Sequence, residues 1–213
     1  MFVGERMSRP VISVSPDEPI NEVLAMFKEE RIRRAPVMKD GKLLGIVSQS
    51  DLLNASPSSV TTLSVWEMNY LISKVKVKNV MTKKVITVDK DTPIEEAARI
   101  MADKKIGGMP VTSEGKVVGI ITETDLFKTF LELMGARRKA IRVTATIPEQ
   151  PGELAKITKA IANNGGDFIA FGMFSGPDAQ SRVITFKVLG MKKEKIREVL
   201  KDVVLKFWDI RQS

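Results

Sequence analysis

Roughly the first 130 residues alternate between apolar and polar positions in a pattern that occurs twice. In the first copy, an apolar run at 11–14 precedes apolar residues spaced three and four apart at 20–27, which predicts a strand followed by an amphipathic helix. Two more apolar runs, at 35–38 and 43–47, flank a Gly-Lys pair and predict a β-hairpin. A second helix is expected from Asp51 onward. The predicted unit is therefore βαββα.

The same pattern recurs 74 residues later without a gap. Residues 7–53 align with 81–127, and seventeen of the 47 pairs are identical. In this second copy the three predicted strands fall at 85–88, 109–112 and 117–121. Because about 50 residues is near the lower limit for an isolated core, we expect the two copies to pack together around a pseudo-twofold axis.

The end of the chain follows a different pattern. Every second residue is apolar from 141 to 147, which predicts a half-buried strand, and a helix follows that ends at the Asn-Asn-Gly-Gly of 163–166. Strands at 168–173 and 182–188, a helix at 192–203 and a strand at 207–210 complete the order βαββαβ, a ferredoxin-like topology.

These patterns divide the chain into four segments. The first copy covers 1–60, a linker with a predicted helix covers 61–79, the second copy covers 80–135, and the last domain covers 139–213. The predicted fold class is α+β, with two βαββα copies packed as one module and a ferredoxin-like βαββαβ domain after them.

The composition removes several kinds of chemistry. Cysteine and histidine are both absent, which excludes disulfides, thiolate catalysis, Cys/His zinc sites and Ser-His-Asp catalysis. No GxxxxGK[ST] or GxGxxG loop occurs. We therefore expect a protein that is not an enzyme and that needs no metal or cofactor. The lack of a long apolar run and of a signal peptide predicts a cytoplasmic protein without a membrane partner.

The net charge of +8 raises the alternative of nucleic-acid binding. The lysines and arginines are spread along the chain and are not interleaved with aromatic residues, so nucleic acid is not the expected partner.

Several motifs of the repeat resemble those of the CBS-domain family, named for cystathionine β-synthase. They are the Met-Ser or Met-Thr opening, the Ile-x-x-x-Pro-Val strand at 32–37 and 106–111, the Gly-Lys turn, and the ending Gly-Ile-Val/Ile-Ser/Thr-x-x-Asp. The resemblance implies a module with up to two clefts that bind AMP, ADP, ATP or S-adenosylmethionine as a regulatory ligand. The matching positions are Ile12, Ser13, Val14, Arg33, Arg34, Ala35, Pro36, Ser48, Ser50, Asp51, Ile86, Thr87, Val88, Gly107, Gly108, Met109, Pro110, Thr122, Thr124 and Asp125.

The residue types at these positions suit a nucleotide. The carboxylates of Asp51 and Asp125 can accept hydrogen bonds from adjacent ribose hydroxyls, and the hydroxyl residues before them can donate to phosphate. Aspartate at a helix start is also an ordinary N-cap, and the two roles can coexist. Arginines stand at 31, 33 and 34 where the second copy has Lys105 and two glycines, which predicts two unequal clefts. The sequence leaves open which cleft the arginines serve.

The C-terminal domain resembles the ACT family of small regulatory domains. The motifs are Pro-x-Gln-Pro-Gly-Glu-Leu at 148–154 and Gly-Gly-Asp-Phe-Ile at 165–169. The resemblance implies dimerisation and an amino-acid site formed by Glu149, Gln150, Pro151, Gly152, Glu153, Leu154 and Phe168. Glu149 and Phe168 depart from the residues of the family's best amino-acid binders, so a purely structural turn in a dimerisation module stays open as the alternative.

The order of the domains resembles the acetoin-utilisation protein B-like group. We expect a regulatory sensor of an adenosine ligand that forms a homodimer and acts on a protein partner that the sequence does not identify. The alternative is a structural dimerisation or interaction module that regulates its partner without binding a nucleotide.

Overall fold

A computed structural model of the chain describes residues 1–55 and 74–213. These residues form two compact units, Met1–Leu126 and Phe127–Ser213. The predicted linker helix lies almost wholly outside the described residues. Within the described ranges, no helix has the length and apolar character needed to cross a membrane.

The first copy contains two helices and a β-hairpin after a short N-terminal helix. The elements are α1 (Val3–Arg6), α2 (Ile20–Glu29), β1 (Arg34–Lys39), β2 (Lys42–Ser48) and α3 (Gln49–Asn54). Strands β1 and β2 pair in an antiparallel ladder through a two-residue turn at Asp40 and Gly41, whose φ angles are 50° and 74°. Positive φ at both turn residues is the type I′ geometry that suits tight hairpins.

The second copy repeats this arrangement. Its elements are α4 (Val77–Val80), β3 (Val88–Asp89), α5 (Ile94–Lys104), β4 (Gly108–Ser113), β5 (Lys116–Thr122) and α6 (Glu123–Leu133). Strand β4 lies between β3, to which it is parallel, and β5, to which it is antiparallel.

The predicted first strand of each copy is wrong in extent. Residues 11–14 pair with β1 through a single bridge at Val14. Of residues 85–88, Val88 alone belongs to a strand, the two-residue β3. The cause lies just before them, where Ser8 pairs with Ile120 and Thr82 pairs with Ile46, each in the opposite copy. The chain must cross from one copy to the other between these pairings, so it cannot run along its own sheet.

The two copies also exchange their short opening helices. Val3 of α1 is buried in the same core cluster as Val88 of the second copy, and Val77 of α4 is buried in the same core cluster as Val14 of the first. The backbone N–H of Ile20 donates to the carbonyl of Val75, so the first helical N–H of α2 is bound by the opposite copy's segment. The two copies therefore form one module, as the sequence predicts.

The C-terminal unit has the predicted order βαββαβ. Its elements are β6 (Ile141–Pro148), α7 (Glu153–Ala162), β7 (Asp167–Ser175), β8 (Ser181–Leu189), α8 (Lys193–Leu200) and β9 (Lys206–Gln212). The four strands are antiparallel, in the order β7-β8-β6-β9, and the buried residues of both helices pack against one face of the sheet. Helix α8 ends three residues earlier than predicted, and in the turn that follows it the N–H groups of Val203 and Val204 both donate to the carbonyl of Leu200.

Candidate functional site

A cavity of about 360 Å³ lies at the junction of the two copies in the first unit. The first copy supplies the start of β1, the end of β2 and the start of α3, and the second supplies its opening segment and the turn before β4. The lining residues are Arg34, Ile46, Ser48, Ser50, Asp51, Thr82, Lys84, Val85, Ile86, Lys105, Ile106, Gly107 and Gly108. This size falls in the range of small-molecule sites.

Asp51 is held at the cavity by a capping box. Ser48 donates to the Asp51 carboxylate from its backbone N–H at 2.8 Å and from its hydroxyl at 2.6 Å, both to Oδ2. The N–H of Asp51 donates in return to the Ser48 hydroxyl at 3.3 Å. The N-cap role that the sequence suggests is therefore present, and it fixes the carboxylate in an orientation that leaves Asp51 lining the cavity.

The sequence left open which cleft the arginines line, and the structure places Arg34 at the cavity of Asp51. Its side chain crosses from β1 to the two glycines of the second copy and lines the cavity of Asp51. A Cβ added to Gly107 would collide with the Arg34 guanidinium, and one added to Gly108 would lie 3.0 Å from Arg34 Cδ. The glycines therefore make room for the arginine. Burial lowers the pKa of Arg34, and the charges of Glu123 and then Asp51 oppose this shift.

Two more cations of the second copy line the cavity. Lys84 and Lys105 stand there with Arg34, whereas Asp51 is the single carboxylate among the described lining residues. Sequence reasoning noted Lys105 without assigning it to the site, and it missed Lys84, Ile46, Thr82, Val85 and Ile106. The repeat itself carried a signal for them, because a pseudo-twofold axis brings the opening of one copy to the ending of the other.

The second predicted cleft is built around Asp125, which is buried at 6% exposure. Its Oδ2 accepts from the N–H and the hydroxyl of Thr122 at 3.0 and 2.7 Å, and Ser8 donates to Oδ1 at 3.4 Å. Asp125 thus repeats the capping geometry of Asp51.

Several other predicted nucleotide-binding residues are not on the cavity of Asp51. The side chains of Val14, Ala35, Val88 and Met109 are buried in the cores of the two copies, and Pro36 and Pro110 are buried beside them. Residues outside its lining that keep more exposure are Ile12, Ser13, Arg33, Thr87 and Thr124.

The loop before α7 forms a smaller cavity of about 270 Å³ in the C-terminal unit. Six of the seven predicted amino-acid-site residues, those from Glu149 to Leu154, line it together with Met173 and Arg182. Arg182 forms an ion pair with Glu149. Phe168 lies elsewhere, because its ring packs in the core against Phe171 and Phe186 at centroid distances of 6.0 and 5.3 Å.

The solved structures that resemble the chain include the following three. The CBS domain pair of protein MJ0100 in complex with 5′-methylthioadenosine and S-adenosyl-L-methionine is 27% identical, with a TM-score of 0.52 over 65% of this chain and 98% of that one. CBSX2 in complex with AMP is 28% identical, with a TM-score of 0.52 over 62% and 97%. A putative acetoin utilization protein (AcuB) from Vibrio cholerae is 29% identical, with a TM-score of 0.53 over 64% and 95%.

A family model described as the CBS domain matches residues 3–58 and 77–132, which together make up more than half of the chain. The two matched segments are the two copies whose opening helices are exchanged. The chain therefore belongs to the CBS-domain family.

Proposed function

We propose that this chain is a non-enzymatic regulatory sensor that binds an adenosine ligand, an adenine nucleotide or S-adenosylmethionine, in the cavity of Asp51. The main observation behind the proposal is that one cavity of about 360 Å³ is lined by Asp51 and Arg34 of the first copy and by Lys84 of the second.

Each part of an adenine nucleotide has a complement in this cavity. The oriented carboxylate of Asp51 can accept hydrogen bonds from two adjacent ribose hydroxyls. The apolar residues Ile46, Val85, Ile86 and Ile106 offer a wall for a planar base. Among the described lining residues, three cations and one carboxylate favour a ligand with phosphate groups, and guanidinium groups bind phosphate oxygens in pairs.

The solved relatives support the class of ligand. The CBS domain pair of MJ0100 is described with methylthioadenosine and S-adenosyl-L-methionine, and CBSX2 with AMP. Both share the double-repeat fold with this chain, and these ligands share an adenosine moiety.

A ligand in this position can act as a signal. Because the cavity is lined by both copies, binding contributes free energy that depends on how the copies are arranged. A ligand shifts a conformational equilibrium by the difference in its affinity for the two states. Sensing by this route needs no catalytic group and no metal.

We propose that the C-terminal unit is an ACT domain that either dimerises the chain or binds an amino acid at the loop 149–154. Glu149 and Arg182, two charged residues of that loop cavity, form an ion pair with each other. Because their charges are already paired, they are less available to an amino acid, and this favours the dimerisation role. The alternative for the whole chain is an interaction module without nucleotide binding. Exposed apolar residues of α6, among them Phe127, Phe130 and Leu133, support self-association or a protein partner. A cytoplasmic location stays a prediction from the sequence.

The test is isothermal titration of AMP, ADP, ATP and S-adenosylmethionine into nucleotide-stripped protein, beside Asp51→Ala and Asp125→Ala. We expect Asp51→Ala to lower the affinity of the tightest ligand about tenfold or more, since a charged hydrogen-bond acceptor is lost. Asp125→Ala removes the equivalent cap from the other copy and tests the second predicted cleft, so loss of binding in this variant alone would assign the ligand to Asp125 and contradict the proposal. Absence of binding by all four ligands to the wild-type protein would refute the sensor and leave the interaction module.

A further inference from the structure

The C-terminal unit contains another cavity, of about 340 Å³, that none of the predicted sites uses. Strand β8 alternates between the two faces of the sheet, and Ile184, Phe186 and Val188 pack in the core with the helices. Thr185 and Lys187 point to the other face, where the cavity lies. Met134 and Ala170 give it an apolar wall, and Phe130 stands at its edge with 53% exposure.

Lys187 is the unusual residue of this cavity because it is 6% exposed. Its Nζ donates to the carbonyl oxygens of Gly135 and Arg138, both at 3.1 Å. An ammonium has three donors, and these two acceptors are neutral. In the described part of the chain, Lys187 forms no ion pair with a carboxylate. A buried charge is ordinarily paired, so the site lacks the anion that would complement it.

Arg142 adds a second positive charge at the rim. Its guanidinium lies 3.4 Å from the Asp209 carboxylate and its side chain is 38% exposed. Among the described residues that line the cavity, Lys187 and Arg142 are the charged side chains, and Ser213 lines it as well. Two cations without an aspartate or glutamate side chain favour an anion, and Met134 and Ala170 favour an apolar body. The lining therefore suits a molecule with one carboxylate and an apolar body.

We propose that this cavity binds an apolar monocarboxylate, with Lys187 as its buried counter-charge and Arg142 as a second cation at the entrance. The carboxylate takes the remaining donor of the Lys187 ammonium, and the apolar body lies against Met134 and Ala170. This site is separate from the adenosine cavity and from the loop at 149–154, and it does not depend on either.

The test uses hexanoate as the probe, titrated into the full-length protein and followed by calorimetry and by chemical-shift changes of methyl groups. Hexanoate is expected to bind and hexanamide, which has the same body without the charge, is not. Lys187→Met keeps most of the side-chain volume and is expected to lower the affinity about tenfold or more, because a charged hydrogen bond is lost. Lys159→Met, which makes the same change at an exposed position of α7, is the matched control and leaves binding unchanged.

If Lys187→Met does not fold, a second variant, Arg142→Gln, tests the proposal instead. This change is at the partly exposed rim, and it is expected to weaken hexanoate binding about threefold or more without changing the thermal unfolding of the unit. The proposal is overturned if wild-type protein fails to bind hexanoate, if hexanamide binds equally well, or if folded Lys187→Met binds as the wild type does.

Discussion

Gly45 and Met81 pack so closely that a Cβ added to the glycine would lie 2.7 Å from the methionine sulfur. The same relationship joins Gly119 to Met7, in the opposite direction between the copies. Each methionine belongs to the opening of one copy, and each glycine lies in a hairpin strand of the other. These two contacts explain why a Met-Ser/Thr opening and a glycine in the third strand occur together in both copies.

The first prediction concerns this contact. Gly45→Ala is expected to destabilise the first unit by about 1–3 kcal/mol, the usual cost of overpacking a tight site. Urea unfolding measures the change. Met81→Ala in the Gly45→Ala background removes the obstructing thioether, so the double variant should be less destabilised than the sum of the two single changes. Strict additivity of the two effects would show that the contact does not limit the packing.

The second prediction concerns the phosphate end of the adenosine cavity. Arg34→Gln is expected to lower the affinity for ATP about tenfold or more, because a guanidinium contact with phosphate is lost. Binding of uncharged 5′-methylthioadenosine should change much less. Arg33→Gln removes the same charge from the neighbouring residue, which does not line the cavity, and is the control. Equal losses in the two variants would indicate a general charge effect and not a contact.

The third prediction separates the two glycines under Arg34. A Cβ on Gly107 would meet the ends of two side chains, the Arg34 guanidinium and Glu123 Oε2, whereas a Cβ on Gly108 would lie 2.9 Å from the Ile121 carbonyl oxygen. Side-chain ends can move, but the paired strand cannot. Gly107→Ala should therefore cost less than about 1 kcal/mol in stability and weaken ATP binding, and Gly108→Ala should cost about 1–3 kcal/mol. Urea unfolding with both variants tests this, and equal costs would contradict it.

The fourth prediction concerns pH. Lys78 Nζ lies 2.7 Å from the Asp17 carboxylate and holds the pKa of Asp17 below its ordinary value of 3.8, mainly through a hydrogen bond and then by its charge. A lowered pKa in the folded state contributes stability above pH 3.8, and this contribution is lost as the pH falls through the lowered value. Asp17→Asn should therefore lower the urea midpoint slightly at pH 7, and this effect should shrink as the pH falls below 3.8.

Two controls belong to this pH experiment. Lys78→Met in the Asp17→Asn background should produce no further loss from this pair. Asp91→Asn changes the equivalent residue of the second copy, whose ion pair with the adjacent Lys90 is longer, at 3.5 Å. A pH-independent effect of Asp17→Asn would show that the ion pair is not its cause.

The sequence predicted the repeat, its hairpins and helices, and the strand order of the C-terminal unit, because these follow from local periodicity and turn residues. The two strands of each hairpin meet at a turn that contains Gly41 or Gly115. These glycines have positive φ, and a glycine at such a turn is a strong signal in a sequence. Asp51 was singled out by the Ser-x-x-Asp ending, which resembles the CBS-domain motif, and its place near a helix start is visible in the sequence.

The crossing of the opening segments was not predicted. Whether Ser8 pairs with its own copy or with Ile120 of the other depends on long-range packing, which residue periodicity does not report. The first strands were overestimated for that reason, and Lys84 was missed because it reaches the cavity by the crossing. The Gly107–Arg34 contact was visible only as a difference between the copies, which predicted two unequal clefts but not this contact.

The most direct test of the central claim is a crystal structure of the wild-type protein grown with ATP. The account predicts nucleotide in the cavity lined by both copies, with ribose hydroxyls within hydrogen-bonding distance of the Asp51 carboxylate and phosphate oxygens at the Arg34 guanidinium. Nucleotide bound at the Asp125 cleft alone, or outside both clefts, would contradict it.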